Sequence, residues 1–205
     1  MKKLLLMLVL AFSIIMGNSM ANGTFAAEKK TKTIAAEFNF GPWIVGFGPS
    51  IDVDFNLGGT IGFLNGLNLH AGLVLHTKSA AIKALTKSVD YDMSGTGFNF
   101  GVRYFFGDTG MNGFYLGAKM VTGKMTFTGT GTTLGTLEAK YTGFAGELGA
   151  RWILFDMMTL NTGISAGKMG VTATGTVTDG ANTFSSSDAG TLPWVELIVA
   201  VGVAF

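Results

Sequence analysis

The chain has 205 residues, of which 48% are hydrophobic and 13% charged, and its 14 basic and 13 acidic residues leave a formal net charge of +1. This length suits a single domain, and the small net charge excludes the strongly basic surface that nucleic-acid binding requires. The absence of cysteine excludes a disulfide framework and a lipid-modified N-terminal cysteine.

The chain begins with the pattern of a secretory signal peptide. Lys2 and Lys3 precede an apolar run over residues 4–16, which is shorter than the about 20 residues that a spanning helix needs. Small residues follow, and cleavage after either Ala21 or Ala26 fits the sequence. We therefore expect a signal peptide over 1–21 (or to 26), a periplasmic N-terminal segment over 22–32 and an outer-membrane β-barrel over 33–205.

From residue 33 onward, apolar residues alternate with small or polar ones, which is the period of a half-buried β-strand. The first segment is ambiguous, because Phe38 and Phe40 set one phase and Trp43 takes the other after Gly41-Pro42, which leaves a bulge or a split strand open. Ten strands is the alternative to a count of eight. The eight predicted strands lie near 33–46, 49–58, 66–77, 89–106, 113–129, 136–155, 159–178 and 190–205.

The second face of these strands carries mainly glycine, alanine and serine, with a few single charges. The outer face of a soluble sandwich would instead be rich in charged residues and threonine, whereas small residues suit the crowded lumen of a narrow barrel. An exported, apolar chain without helical spans can cross lipid only as a closed barrel. The sequence therefore predicts an all-β, antiparallel, up-and-down transmembrane β-barrel, with a secreted soluble sandwich as the alternative.

The connections between the predicted strands alternate in character. Asn65-Gly66 and Asn112-Gly113 are hairpin signals, and short turns alternating with longer polar loops are typical of outer-membrane barrels. The connections predicted to be short are Gly58–Gly66, Gly107–Gly113 and Asp156–Met158, and those predicted to be long are Thr77–Ser88, Gly129–Gly135 and Asp179–Gly190.

The last strand ends on Val199-Ala-Val-Gly-Val-Ala-Phe205. With the signal peptide and the alternation across 33–205, this ending resembles the small outer-membrane β-barrel superfamily of OmpA-, OmpX- and OmpW-like proteins, a porin-family type of cell-envelope protein in Gram-negative bacteria. The resemblance implies that Val199, Val201, Val203 and Phe205 form the signal that the barrel-assembly machinery recognises. Phe205 could equally be one aromatic residue of an interfacial girdle.

Charged residues on the second face are predicted to lie in the lumen, because an arginine facing lipid would cost about 2–4 kcal/mol at the bilayer midplane. Four acids face three bases and one histidine, so that we expect a nearly balanced ion-pair network that plugs the barrel. A narrow, porin-like channel for small solutes is the alternative. The predicted lumen residues are Asp52, Asp54, His70, Arg103, Lys119, Glu147, Arg151 and Glu196.

A catalytic role, as a lipid-modifying outer-membrane enzyme, is the least favoured hypothesis. His70 and His76 are the two histidines, and on one strand they would stand about 20 Å apart, which is too far for a shared metal site. His76 would lie near the outer rim, within reach of Ser79, Ser88 or Asp90, but no motif sets these residues apart. We therefore expect no enzymatic activity, no metal and no cofactor.

The expected partners are outer-membrane lipids and lipopolysaccharide, with no nucleic acid, and the expected state is a monomer. The lysines of the Thr77–Ser88 loop could approach lipopolysaccharide phosphates, although the sequence favours an ordinary solvated loop. Threonine-rich strand extensions are predicted to rise above the membrane as a polar sheet, which would permit a structural, adhesive or surface-contact role. They contain Thr126, Thr128, Thr130, Thr132, Thr133, Thr172, Thr174, Thr176 and Thr178.

Overall fold

The structure is a computed structural model that describes residues 32–42, 48–59, 61, 64–77, 91–106, 110–130, 133–179, 182–187 and 189–205. The predicted signal peptide, nearly all of the predicted N-terminal segment and the Thr77–Ser88 loop after its first residue lie outside these ranges. Within the described ranges, no helix is both long and apolar enough to cross a membrane.

The described part of the chain folds into antiparallel β-strands that belong to one sheet. The strands are β1 (Ile34–Asn39), β2 (Ser50–Asn56), β3 (Leu67–Thr77), β4 (Tyr91–Phe105), β5 (Gly113–Gly129), β6 (Thr133–Leu154), β7 (Met158–Asp179), β8 (Asn182–Ser186) and β9 (Ala189–Ala204).

The sheet closes on itself, because β1 pairs with β9 as well as with β2. Consecutive strands pair from β1 to β7, and β7 pairs with β9, which gives a ring of eight antiparallel strands. The short strand β8 pairs with the far end of β7 and continues the line of β9. The predicted all-β class and the count of eight are confirmed.

Three predicted boundaries are wrong. The first strand ends at Asn39 and residues 40–42 are not strand, because the Asn39 side chain accepts hydrogen bonds from the backbone of Gly41 and Val199. Positions 43–46 of the predicted strand lie outside the described residues. The predicted loop Gly129–Gly135 is mostly strand, since β6 already begins at Thr133. The predicted loop Asp179–Gly190 contains β8. Threonine and serine residues lie in the sheet at both places, where the polar composition suggested loops.

The ring has two different ends. At one end, hereafter the turn end, a short turn of three residues, 155–157, connects β6 to β7. At the other, hereafter the extended end, β6 and β7 run on as strands of 22 residues each, far beyond β1 and β2. The ten residues of β6 from Thr133 to Thr142 cover about 33 Å along the strand, at about 3.3 Å each.

The two faces of the sheet exchange their polarity between these ends. Over the turn-end half, the outer face carries exposed apolar side chains such as Phe100, Leu116 and Leu148, while the inner face is polar. Over the extended end, the outer face carries threonine and lysine. The inner face there is apolar, with a cluster formed by Met93, Val121, Met125, Tyr141, Ala145, Met169 and Trp194.

A smaller apolar cluster lies inside the turn end. Met111, from the connection between β4 and β5, is fully buried against Ala35 and Ala204, with Ile153 packed beside them. The interior therefore has an apolar layer at each end and a polar layer between them.

The connection between β6 and β7 is a tight turn with a strained residue. Phe155 and Asp156 both have positive φ, at 52° and 62°, which is the backbone of a type I′ turn. Asparagine and glycine adopt this region readily, but a bulky residue such as phenylalanine does so at a cost.

Replacing Phe155 with Asn is expected to raise the free energy of unfolding by about 1 kcal/mol, because asparagine tolerates the left-handed backbone. Urea unfolding of the refolded chain measures the change. Phe155→Leu keeps the backbone conflict and is the control, and an equal effect of both substitutions would contradict the strain argument.

Candidate functional site

All eight charged residues predicted for the lumen are buried inside the ring. Their exposed fractions range from 0% for Arg151 to 4% for Glu147 and Glu196. Strand alternation places them there, since each lies on the face opposite the exposed apolar side chains. What holds them inside is a set of ion pairs that cross the interior rather than run along single strands.

Arg103 is at the centre of these contacts. Its Nε donates to Glu147 Oε2 at 2.8 Å and its Nη1 donates to Asp54 Oδ2 at 2.9 Å. Glu147 in turn pairs with Lys119 at 2.9 Å, and Lys119 pairs with Glu196 at 2.8 Å. One continuous line of alternating charge therefore joins β2, β4, β5, β6 and β9.

Arg151 extends the line toward the turn end. Its Nη2 contacts both Asp54 Oδ2 and Glu37 Oε2, the latter at 2.8 Å. Asn161 of β7 also donates to Glu37 Oε2 at 2.8 Å, and His70 of β3 lies 2.9 Å from Asp54 Oδ1 through its Nδ1. With these contacts, every strand of the eight-stranded ring contributes a side chain to the network.

Asp52 is held mainly by neutral donors. It accepts hydrogen bonds from Asn39 Nδ2 at 3.3 Å, Ser50 Oγ at 3.1 Å and Asn99 Nδ2 at 3.4 Å. Its nearest basic group is His70 Nε2, at 3.9 Å from Asp52 Oδ1. The imidazole of His70 therefore stands between two carboxylates and links this branch to Asp54.

Aromatic rings cover the three buried cations. The guanidinium of Arg103 lies 5.1 Å from the centre of the Tyr115 ring, and that of Arg151 lies 5.0 Å from the Phe105 ring. Lys119 Nζ lies 5.2 Å from the Trp194 ring. At these distances the ring faces attract the cations, and they also seal the polar layer against the apolar layers above and below.

Inward-facing glycines make room for these large side chains. A Cβ at Gly117 would lie 3.0 Å from Glu147 Oε2 and 2.9 Å from Val102 O, and one at Gly149 would overlap the Tyr115 ring. The glycine-rich second face noted in the sequence is therefore the space that Glu147 and Tyr115 fill.

The structure adds interior residues that the sequence did not single out. Glu37 is 3% exposed and is a fifth interior acid against three bases and His70, so the expected near-balance is wrong by one carboxylate. Phe38 and Phe40 fix the alternation that turns Glu37 inward. Because the alternation changes phase after Gly41-Pro42, the sequence left the inward position of Glu37 unassigned. Asn161 was not predicted because it is neutral, and the predicted network contained only charged residues and His70.

The two histidines belong to separate clusters. His70 joins the charged network, whereas His76 Nε2 lies 2.6 Å from the Tyr141 hydroxyl near the extended end. The serines and the aspartate predicted to lie near His76 are outside the described residues. Among the residues that the structure describes, no group of three or more acidic, histidine or cysteine side chains could hold a metal ion.

The residues of the predicted assembly signal line the outer face of β9 and its end. Phe205 is 65% exposed and Val201 is 45% exposed. The backbone of Phe205 closes the ring, because its carbonyl accepts from Thr33 N at 2.6 Å and its N–H donates to Ile34 O at 2.8 Å. The side chains are thus available on the outside, while the backbone is part of the seam.

Comparison of the chain with protein-family models, curated proteins and solved structures gives no match in any of the three.

Replacing Arg103 with Ala is expected to lower the free energy of unfolding by about 3–5 kcal/mol, because Asp54 and Glu147 lose a shared partner while remaining buried. Urea unfolding of the refolded chain measures the loss. Lys140→Ala, at a side chain that is 71% exposed, is the control and should change the value by less than about 0.5 kcal/mol. Equal losses of stability in the two variants would contradict the argument, because they would show that the buried ion pairs of Arg103 matter no more to stability than an exposed lysine.

Proposed function

We propose that this chain is a non-enzymatic integral protein of the bacterial outer membrane, exported with a cleaved signal peptide. In this proposal it is a monomeric, closed β-barrel that anchors a polar sheet at the cell surface and has a structural or surface-interaction role. The exchange of polarity between the two ends of the ring is the observation that carries the proposal.

The apolar outer band has the height of a membrane core. On β6, outward positions from Phe144 to Leu154 carry no charged side chain, which covers about 33 Å along the strand, or roughly 25 Å along the axis of a barrel whose strands tilt by about 40°. Aromatic residues Tyr104, Phe106, Phe114 and Phe155 are exposed near the turn end. This is where an interfacial girdle is expected.

The polarity above this band supports the same placement. From Thr142 toward the extended end, β6 turns Lys140 and Glu138 outward, while Ala139 and Tyr141 are buried inside. This is the arrangement of a protein surface in water. A soluble sandwich would keep polar side chains outside and apolar side chains inside along the whole strand. The reversal of this polarity within one strand favours a boundary between lipid and water.

The layered interior favours a barrel that does not conduct. Trp194, Tyr141 and Met169 fill it near the extended end, the ion pairs fill the middle, and Met111 fills the turn end. An ion would have to displace all three layers. We therefore interpret the network as a plug that also joins all the strands.

A narrow channel is the second candidate, and one observation favours it. Several buried polar atoms make no hydrogen bond to a described protein group, among them His70 Nε2, Arg151 Nη1 and Thr159 Oγ1. Buried polar atoms of this kind are commonly satisfied by water. A hydrated path between them would suit the passage of small solutes.

The threonine-rich extension is the part of the barrel suited to surface contact. Outward Thr176 and Thr178 of β7 pair with Ser185 and Thr183 of β8 through hydroxyl contacts of 3.3 and 3.2 Å. This polar part of the sheet presents many hydroxyl groups at the surface and can accept a partner. For biogenesis, we propose that the barrel-assembly machinery recognises the outward Val199, Val201, Val203 and Phe205.

Replacing Leu148 with Arg is expected to destabilise the chain by about 2–4 kcal/mol in phospholipid vesicles, because the arginine would lie near the bilayer midplane. Thr136→Arg is the matched control, on the same strand and the same face but beyond the apolar band, and should cost no more than about 1 kcal/mol. Reversible urea unfolding in vesicles measures both. Equal costs would refute the membrane placement.

Purified wild-type protein in a planar bilayer is expected to give no discrete channels, because the ion pairs and both apolar layers obstruct the lumen. Glu147→Ala frees Lys119 and Arg103 from their shared carboxylate and so weakens the network that joins the strands. It should raise the conductance above that of the wild type, and Lys140→Ala on the outer face should not. Discrete, reproducible channels in the wild type would favour the solute channel over the closed barrel.

A further inference from the structure

The outer face of β5, β6 and β7 differs from the rest of the barrel surface. It contains a groove of about 450 Å³ inside the apolar band, lined at its base by Ala118, Gly146 and Ala166. These three residues are neighbours across the strands, since Gly146 pairs with Ala118 on one side and with Ala166 on the other. Phe144, which is 70% exposed, and Phe100 form raised walls beside this base.

The same three strands carry every outward-facing lysine of the described sheet. Lys168 lies opposite Phe144, at the upper limit of the apolar band and two residues above the groove base at Ala166. Lys124 and Lys140 lie opposite each other on β5 and β6. They are four residues beyond Phe144, or about 13 Å along the strand.

The charge of this patch is positive. Lys124 and Lys140 both contact Glu138, and the hydrogen bond from Lys124 lowers the pKa of the Glu138 carboxyl below its usual range. Lys168 makes no ion pair with a described residue. Among the described residues, Asp92 is the other outward acid near the patch, and it lies one strand away, opposite Thr128. Three lysines of the described sheet therefore face one adjacent carboxylate.

We propose that this side of the barrel binds a phosphorylated glycolipid of the lipopolysaccharide type, with an acyl chain in the groove and phosphates at the lysines. The inference rests on the proposed membrane placement. A glycolipid of this type has acyl chains in the bilayer and separated phosphates on its sugars. This matches an apolar groove with lysines at two heights above it, Lys168 at the lower and Lys124 with Lys140 at the upper. A glycerophospholipid has its phosphate directly above its chains and would engage Lys168 alone.

The experiment uses the full chain refolded in detergent micelles with added lipid A, and native mass spectrometry measures the fraction of protein with lipid bound. Lys168→Gln and Gly146→Leu test the cation and the groove. A Cβ at Gly146 meets its nearest heavy atom, Gly117 O, only at 4.0 Å, so leucine fills the groove without straining the sheet. Lys168→Gln should weaken binding about fivefold, which corresponds to ~1 kcal/mol for one cation near a membrane surface. Gly146→Leu should also weaken binding, because leucine occupies the space of the acyl chain.

Two variants serve as matched controls. Lys32→Gln removes a lysine that pairs with Asp156 at the turn end, and Ala36→Leu makes an outward substitution on β1, away from the groove. Both should bind lipid A as the wild type does. Equal binding by all four variants would overturn the site, and so would equal binding of phosphatidylglycerol and lipid A by the wild type.

Insertion into vesicles is measured in parallel, through the heat-dependent mobility of the folded barrel on gels. A chain that does not insert would refute the proposed function itself. A chain that inserts but does not distinguish lipid A, or whose binding ignores Lys168 and Gly146, would refute the lipid site alone.

Discussion

The pairing of β1 with β9 closes the sheet, and this closure is the constraint on which the rest of the structure depends. A closed ring leaves no free edge along the seam, because the backbone of Phe205 and of residues 33–34 is paired. Eight strands enclose a space just wide enough for side chains to fill. Every inward residue must therefore fit beside the others, and each inward charge must find its partner across the interior.

The interior network answers that requirement with alternating charges. Arg103 and Arg151 each contact two carboxylates, and Asp54 accepts from both of them. Buried ion pairs of this kind add little net stability compared with an apolar core, but the loss of one partner is costly. We infer that the network fixes the register and arrangement of the strands, since each ion pair forms only when the strands that carry it are correctly aligned.

The two ends of the barrel show how one strand can serve two environments. On β6, the same alternation turns Leu148 outward in one half and Lys140 outward in the other, while the inner face changes from Glu147 to Tyr141. Toward the extended end the interior is apolar and the outside is polar, whereas most of the apolar band encloses the polar layer of ion pairs. The groove and the lysines of β5–β7 lie at the junction of these halves, where an amphiphilic lipid would also change polarity.

The sequence by itself determined the strands, their faces and the inward position of most charges, because a period of two is local and needs no knowledge of neighbours. It could not determine that Arg103 joins Asp54 to Glu147, since these residues are 49 and 44 positions away and meet only when the ring closes. Glu37 was missed because the phase of its strand changes nearby, and β8 was missed because short polar strands resemble loops. The tertiary structure decided the ion-pair partners, the two apolar layers and the outer groove. Each of these combines side chains that are distant in the sequence and become neighbours only through strand pairing and closure of the ring.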